Sequence, residues 1–143
     1  MRRRLFLASM PLVFLAGAAS AAETKPATGQ NVDLAPVAMP IIVSGRLINY
    51  VFVYIRIDLT PSADAIRLRD KEPFFRDALV RMGHRTPFTV PTDYTRLDEA
   101  RLKAAFFQVA SGIAGPGMVS GIEIMPGGGP MHHTGLPKPG SIH

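Results

Sequence analysis

The feature that most constrains this chain is the stretch from residue 46 to residue 82, where a long apolar strand is followed directly by a charged amphipathic helix. Between residues 47 and 59 the side chains alternate with the period of two that a strand imposes. One face carries Leu47, Asn49, Val51, Val53, Ile55, Ile57 and Leu59. The other face carries Ile48, Tyr50, Phe52 and Tyr54, followed by Arg56 and Asp58. Because both faces are apolar over the first two thirds, we expect a central strand covered on both sides.

The residues after this strand predict where the helix begins. Thr60 and Pro61 end the strand, because proline offers no N–H to a strand ladder, and Ser62 is a suitable N-cap. We expect the helix to extend from Ser62 to about Gly83. Pro73 interrupts it and predicts either a kink or a fresh helix start with the proline at the first helical position.

The second half of this helix has one apolar side and one charged side. Phe75, Leu79 and Met82 recur at the spacing of a single helix face. Glu72–Arg76 and Asp77–Arg81 are acid-first pairs at the i, i+4 spacing that stabilises a helix. We interpret the charge run as a solvated face, and the alternative is a surface that binds a partner.

The elements on either side complete an α+β prediction. Residues 37–43, which include Pro40, are typical of an edge strand joined to the long strand by a hairpin. A second helix is predicted from a Thr95–Asp98 capping pattern to about Ala110, and a final strand at residues 118–125. We therefore expect a small antiparallel-rich sheet, formed by the hairpin plus a C-terminal strand and packed with two helices. The predicted core includes Ile55, Ile57, Phe75, Leu79 and Phe106.

The two ends of the chain differ in composition from this central domain at residues 37–125. Residues 1–22 have the layout of a secretory signal peptide, with three arginines, an apolar segment at residues 5–18 and a run of small residues. We expect cleavage near Glu23, which gives a periplasmic protein. The alternative is an uncleaved inner-membrane anchor that faces the periplasm. Residues 23–36 are predicted to be a linker, and residues 126–143 a disordered tail rich in glycine, proline and histidine.

Charge and cysteine content argue against several classes of protein. The formal net charge is +5, but the leader holds three of the 16 basic residues and none of the 11 acidic ones, so the mature chain carries only +2. A nucleic-acid role therefore loses its main support. The chain has no cysteine, which excludes disulfides, thiolate metal sites and a cysteine nucleophile.

The remaining polar residues do not form a catalytic pattern. His132, His133 and His143 could bind a metal, but no carboxylate or cysteine lies near them in the sequence. His84 suits the negative end of a helix dipole. The glycine-rich run at residues 112–117 follows a helix and precedes a strand, which is the reverse of a phosphate-binding loop. We predict no enzyme, and we assign no catalytic, cofactor-binding or metal-binding residue and no cofactor.

The order of the predicted elements resembles the periplasmic domain of the flagellar basal-body-associated FliL family. The motif that carries the resemblance is EPFFRDALVRM at residues 72–82, which follows the long strand as the family's E-P-x-hydrophobic-R-D-hydrophobic segment does. The second helix then ends in a Gly-x-Gly turn at residues 115–117. The resemblance covers residues 37–125 and implies a fold similar to the stomatin-type (SPFH-like) domain. The cleavable leader and the tail at residues 126–143 depart from the family pattern.

The resemblance also implies a function. It indicates a non-enzymatic periplasmic scaffold or regulator that associates with the flagellar basal body and stator and supports motility. A periplasmic small-ligand or metal-binding protein is the alternative, suggested by the tail histidines and the aromatic strand face. Expected partners are further copies of the chain and stator or basal-body proteins, near the inner membrane. Because Arg67, Arg69 and Arg76 alternate with Asp70 and Asp77, we expect weak, salt-sensitive self-association.

Overall fold

A computed structural model describes residues 29–142, so the predictions for the leader and for His143 lie outside the described residues. The secondary structure elements are β1 (Asn31–Asp33), β2 (Val37–Val43), β3 (Arg46–Leu59), α1 (Ala65–Asp70), α2 (Glu72–Arg85), β4 (Thr89–Val90), β5 (Asp93–Leu97), α3 (Glu99–Ala114) and β6 (Val119–Pro130). The predicted α+β class with a small antiparallel sheet is confirmed. Among residues 29–142, no helix combines the length and apolarity needed to cross a membrane.

The long strand β3 is the centre of the main sheet. Strands β1 and β2 lie along one side of it, and β6 pairs with its other side, all antiparallel. Strands β4 and β5 form a separate small hairpin. The predicted linker at residues 23–36 therefore contains a strand, β1, which pairs with Arg56, Ile57 and Asp58 of β3. This part of the linker prediction is wrong, because the extended end of β3 leaves ladder positions that a short segment can fill.

Strand β2 is an edge strand, as Pro40 predicts. The N–H of Ile42 donates to the hydroxyl of Thr89 at 3.1 Å, and that hydroxyl donates to the carbonyl of Ile42 at 3.0 Å. The backbone groups of Ile42 therefore point away from β3. Because strand geometry repeats every two residues, Pro40 has the same orientation, and its missing N–H removes no hydrogen bond from the ladder.

A β-bulge changes which side of the sheet the start of β3 faces. Ile41 pairs with Asn49 but Ile42 pairs with Leu47, so Ile48 is an extra residue in β3. Leu47 therefore leaves the apolar face to which the period of two assigned it, and its side chain is 53% exposed. Because side chains alternate between the two faces of a sheet, one inserted residue moves every side chain before it in the strand to the opposite face.

Only one face of β3 is covered within the described residues, so the expectation that both faces are covered is wrong. The inner face from Val51 to Leu59 belongs to one core cluster with the buried side chains of all three helices. On the other face, Phe52 remains 38% exposed. The apolar composition of the second face suggested burial, but the helices pack on the same side of the sheet.

The long predicted helix is two helices that meet at Lys71. Helix α1 begins after Asp64, whose carboxylate accepts the N–H of Arg67 at 3.1 Å, so the cap is Asp64 and not Ser62. The new start predicted at Pro73 is confirmed, since α2 begins at Glu72 with proline in its first turn. Similarly, Asp98 alone caps α3.

The predicted core residues are buried. Ile55, Ile57, Phe75, Leu79 and Phe106 are each at most 2% exposed, and all belong to the single core cluster. Helix α2 lies so close to β2 that a Cβ on Gly83 would meet the terminal methyl of Met39. The helical spacing therefore identifies the core-facing residues correctly. Gly83 is the position at which α2 comes closest to β2.

The last strand is longer than its sequence pattern indicates. Strand β6 continues through residues 126–130, which the sequence pattern assigned to a disordered tail. Phe52 pairs with Gly129 and Tyr54 with Met125, so two additional residues of β6 bulge out between these pairs. Gly127 has a φ of +106°, and a Cβ on Gly128 would overlap the carbonyl oxygen of Phe52. Glycine here allows a close backbone approach within a sheet, and the prediction of disorder for these residues is wrong.

Gly128→Ala tests this glycine bulge. We expect the free energy of unfolding to fall by roughly 1–3 kcal/mol, because the new methyl group must push the backbone of β6 away from Phe52. Gly129→Ala is the matched control, since a Cβ on Gly129 meets no atom within 4 Å. Urea unfolding followed by circular dichroism measures both variants. Equal stability of the two variants would mean that the bulge does not hold the strand in this register.

Candidate interaction surface

The uncovered side of the sheet carries a row of aromatic side chains. Tyr50, Phe52 and Tyr54 project from β3, and Met125 of β6 lies opposite Tyr54. We call these four residues the aromatic face. No element among residues 29–142 buries Phe52 or Tyr54, and both remain more than one third exposed. Exposed apolar side chains that are contiguous in this way are typical of surfaces that bind other molecules.

Small residues on the neighbouring strands leave these rings accessible. Ala38 pairs with Phe52 from β2, and Gly129 pairs with it from β6. Gly127 lies beside the ring of Tyr54, and a Cβ built on Gly127 would make only ordinary van der Waals contact with that ring. The aromatic face is therefore a flat surface whose rings are not covered by long side chains from adjacent strands.

One end of the aromatic face is charged. Arg56 of β3 donates from Nε to Asp33 Oδ1 at 2.7 Å and from Nη2 to Asp33 Oδ2 at 3.2 Å. Glu123 of β6 lies opposite Arg56 on the other side. The hydrogen bond from Arg56 holds the pKa of Asp33 below its usual value, and the nearby charges of Arg56 and Arg69 act in the same direction. Because both side chains are partly exposed, the Arg56–Asp33 pair adds little to the folding stability. Its main effect is to fix the directions of the two side chains.

The other end of the face is fixed by a buried amide. Asn49 is the only polar or charged side chain that is buried among the described residues. Its Nδ2 donates to the carbonyls of Tyr94 and His132, both at 3.0 Å, and its Oδ1 accepts the N–H of Tyr50 at 2.9 Å and of His132 at 3.1 Å. One side chain therefore joins β3, β5 and the segment after β6. We call this arrangement the Asn49 clamp.

The Asn49 clamp fixes the position of the backbone at the tail histidines. The N–H of Met131 donates to the carbonyl of Tyr50 at 2.8 Å, and Asn49 holds both backbone groups of His132. The side chains of His132 and His133 are exposed, and His143 lies outside the described residues. The described part of the chain contains no group of three or more His, Cys, Asp or Glu side chains placed to hold a metal ion.

The other residues considered in the sequence also have definite places. The Nδ1 atom of His84 lies 2.9 Å from the carbonyl of Val80 within α2, close to the C-terminal end of the helix. Both acid-first pairs are in contact, with Arg76 3.8 Å from Glu72 and Arg81 2.6 Å from Asp77. The Glu72–Arg76 pair is partly buried, whereas the Asp77–Arg81 pair is exposed. Arg76 and Asp77 also border an open cleft between α2 and the start of β2.

A cleft borders the aromatic face at the glycine bulge. It is lined by Phe52 and Met125, by residues 127–129 and by Thr95, Arg96 and Glu99. Its volume of about 210 Å³ is below the range of roughly 300–1,000 Å³ that is usual for small-molecule sites. The geometry therefore favours a flat contact surface over an enclosed pocket at this position.

Sequence reasoning missed the two features that define this surface. Asn49 interrupts an apolar alternation, and a polar residue at a core position is a signal for a specific hydrogen-bond network. The glycines at 127–129 suggested disorder, although glycine inside a strand also indicates a bulge.

No protein-family model matches this sequence, and a search of curated proteins finds none with significant similarity.

Proposed function

We propose that this chain is a non-enzymatic periplasmic scaffold or regulator that associates with the flagellar basal body and stator and supports motility. The observation that carries the proposal is the order of the elements. The hairpin β2–β3 leads into α1 and α2, and after the β4–β5 hairpin α3 ends in a glycine turn before β6. Apart from the β4–β5 hairpin, this order corresponds to the one that the FliL resemblance implies for residues 37–125.

The aromatic face supports a role in association. Tyr50, Phe52 and Tyr54 offer apolar area at a low cost in side-chain entropy, and aromatic residues are enriched where proteins contact one another. The Arg56–Asp33 pair at one end supplies a polar rim that can orient a partner. We propose that this face contacts a periplasmic segment of a stator protein, and that self-association brings several copies to the motor.

A motility assay tests the proposed function. Deletion of the gene in a motile strain that encodes the chain should reduce the swimming ring in soft agar while flagella still assemble. The wild-type chain should restore swimming, whereas the Phe52→Ser/Tyr54→Ser chain should not, because it lacks the aromatic face. Lys103→Ala, at an exposed position of α3, is the matched control and should restore swimming fully.

Two further measurements make this test decisive. Circular dichroism must show that the Phe52→Ser/Tyr54→Ser chain is folded, which separates loss of the surface from loss of the protein. Binding of the purified chain to stator periplasmic segments should weaken with the same substitutions. Unchanged swimming after deletion, together with no binding to those segments, would reject the flagellar proposal.

A further inference from the structure

The helical pair α1–α2 carries two highly exposed apolar side chains on its outer side. Ile66 is 75% exposed and Phe74 is 65% exposed. The buried residues of each helix lie on its core side, and they are Ala65 and Leu68 in α1 and Phe75, Leu79 and Gly83 in α2. Ile66 and Asp70 in α1 and Phe74 in the first turn of α2 lie on the exposed sides of their helices, away from these buried residues. We call these three residues the outer ridge.

The positive charge of the protein is concentrated on the same helices. Residues 65–85 contain six basic side chains and three acidic ones, a net charge of +3. The mature chain as a whole carries +2, so the rest of it is slightly negative. Of the acids, Asp77 is paired with Arg81, and Glu72 accepts the N–H of Ala35 at 3.0 Å. The outer ridge therefore lies on the one strongly basic part of the mature chain.

The described chain also begins next to these helices. The side chain of Arg69 donates to the carbonyl of Asn31 at 3.0 Å, and Gln30 donates to the carbonyl of Ala63, just before α1, at 3.2 Å. In the sequence, the apolar segment at residues 5–18 ends 12 residues before Gln30. A chain of that length spans at most about 40 Å. A copy that keeps residues 1–22 is therefore attached to that apolar segment at its α1 side.

We propose that the outer ridge of α1–α2 rests on an anionic lipid bilayer, with Ile66 and Phe74 inserted at the level of the headgroups. Apolar side chains next to basic ones are the features by which helices bind at the surface of an anionic membrane. Arg69 and Lys71 flank Asp70 in the sequence and offset its charge. In this orientation the helices lie between the lipid and the sheet, and Leu47, which the bulge at Ile48 turns away from the core face of the sheet, points away from the lipid. The inference goes beyond the flagellar proposal and does not depend on which protein partner binds.

Single tryptophans provide the test, because the chain contains none. The full chain with Phe74→Trp is reconstituted into vesicles of phosphatidylcholine with phosphatidylglycerol. We expect a blue shift of its emission and quenching by lipids brominated on their acyl chains. Replacing phosphatidylglycerol with phosphatidylcholine, or raising the salt concentration, should reduce both signals. Adding Ile66→Ser should reduce the quenching further, since one of the two inserted side chains is lost.

Leu47→Trp is the matched control. Leu47 is exposed and lies at the hairpin end of β3, about 40 Å along the strand from the end that leads to α1. A tryptophan at this position should keep a water-exposed emission in the same vesicles. Circular dichroism of each variant checks folding, which substitutions at exposed positions should not disturb.

Three outcomes would overturn the inference. The first is a water-exposed Phe74→Trp signal in vesicles that hold the protein. The second is an equal blue shift at Leu47→Trp, which would mean that the domain has no preferred side. The third is a Phe74→Trp signal that follows the protein-to-lipid ratio and ignores phosphatidylglycerol, because it would indicate contact between protein molecules instead of contact with lipid.

Discussion

Phe75→Ala is expected to lower the free energy of unfolding by about 3–5 kcal/mol. Phe75 lies in α2, is completely buried and belongs to the cluster that joins the helices to the inner face of β3. Truncation removes the apolar transfer energy of the ring and leaves a cavity in a close-packed interior that relaxes only in part. Denaturant unfolding of residues 23–143, followed by far-ultraviolet circular dichroism, measures the loss as a shift of the midpoint at constant slope.

The adjacent residue provides the control for this prediction. Phe74→Ala is the same chemical change one position earlier, on a side chain that is 65% exposed. We expect it to change stability by no more than about 0.5 kcal/mol, as surface substitutions usually do. A loss below about 1 kcal/mol for Phe75→Ala, or similar losses for both variants, would contradict the packing of α2 against the sheet.

Asn49→Asp is expected to reduce stability by roughly 3–5 kcal/mol, although it changes the shape of the side chain very little. An ionised carboxylate can still accept the N–H groups of Tyr50 and His132, but it cannot donate to the carbonyls of Tyr94 and His132. Those two carbonyls would then face a buried negative charge at hydrogen-bond distance. The change therefore replaces two hydrogen bonds with repulsion in a site that excludes water.

Hydrogen exchange at individual residues distinguishes loss of the Asn49 clamp from a general loss of stability. Amide hydrogen exchange at Met131 and His132 should accelerate more than exchange in α3, because the clamp is the side-chain contact that fastens this segment to β3. Asn31→Asp is the matched control, since the side chain of Asn31 makes only a long contact of 3.4 Å with the carbonyl of Gly29 near the surface. Equal effects of Asn49→Asp and Asn31→Asp would show that the clamp does not hold the tail.

Much of the fold follows from local patterns in the sequence. The period of two in β3 from Val51 to Leu59 and the helical spacing of Phe75 and Leu79 identify core-facing side chains correctly, because burial of one face is a property of each element by itself. The edge position of β2 follows from Pro40 in the same way, since proline lacks an N–H. These inferences need only the geometry of a single strand or helix.

Other features depend on contacts between distant parts of the chain. The sequence pattern does not reveal the bulge at Ile48, which exposes Leu47, because the bulge arises from the pairing of β3 with β2. The uncovered aromatic face has the same origin. Tyr50, Phe52 and Tyr54 have the composition of core residues, but all three helices pack on the opposite side of the sheet.

The C-terminal segment shows the limit of sequence reasoning most clearly. Its glycines and prolines have no local preference for a strand, so composition alone predicts disorder. In the folded chain, Gly128 lies against the carbonyl of Phe52, and His132 is bound by Asn49, which is 83 residues away in the sequence. The sequence by itself determined the long strand, the helices and their core-facing residues, because periodicity and capping act over a few residues. The tertiary structure alone decided which sheet face stays open and where the tail is held, because these depend on partners that meet only when the chain is folded.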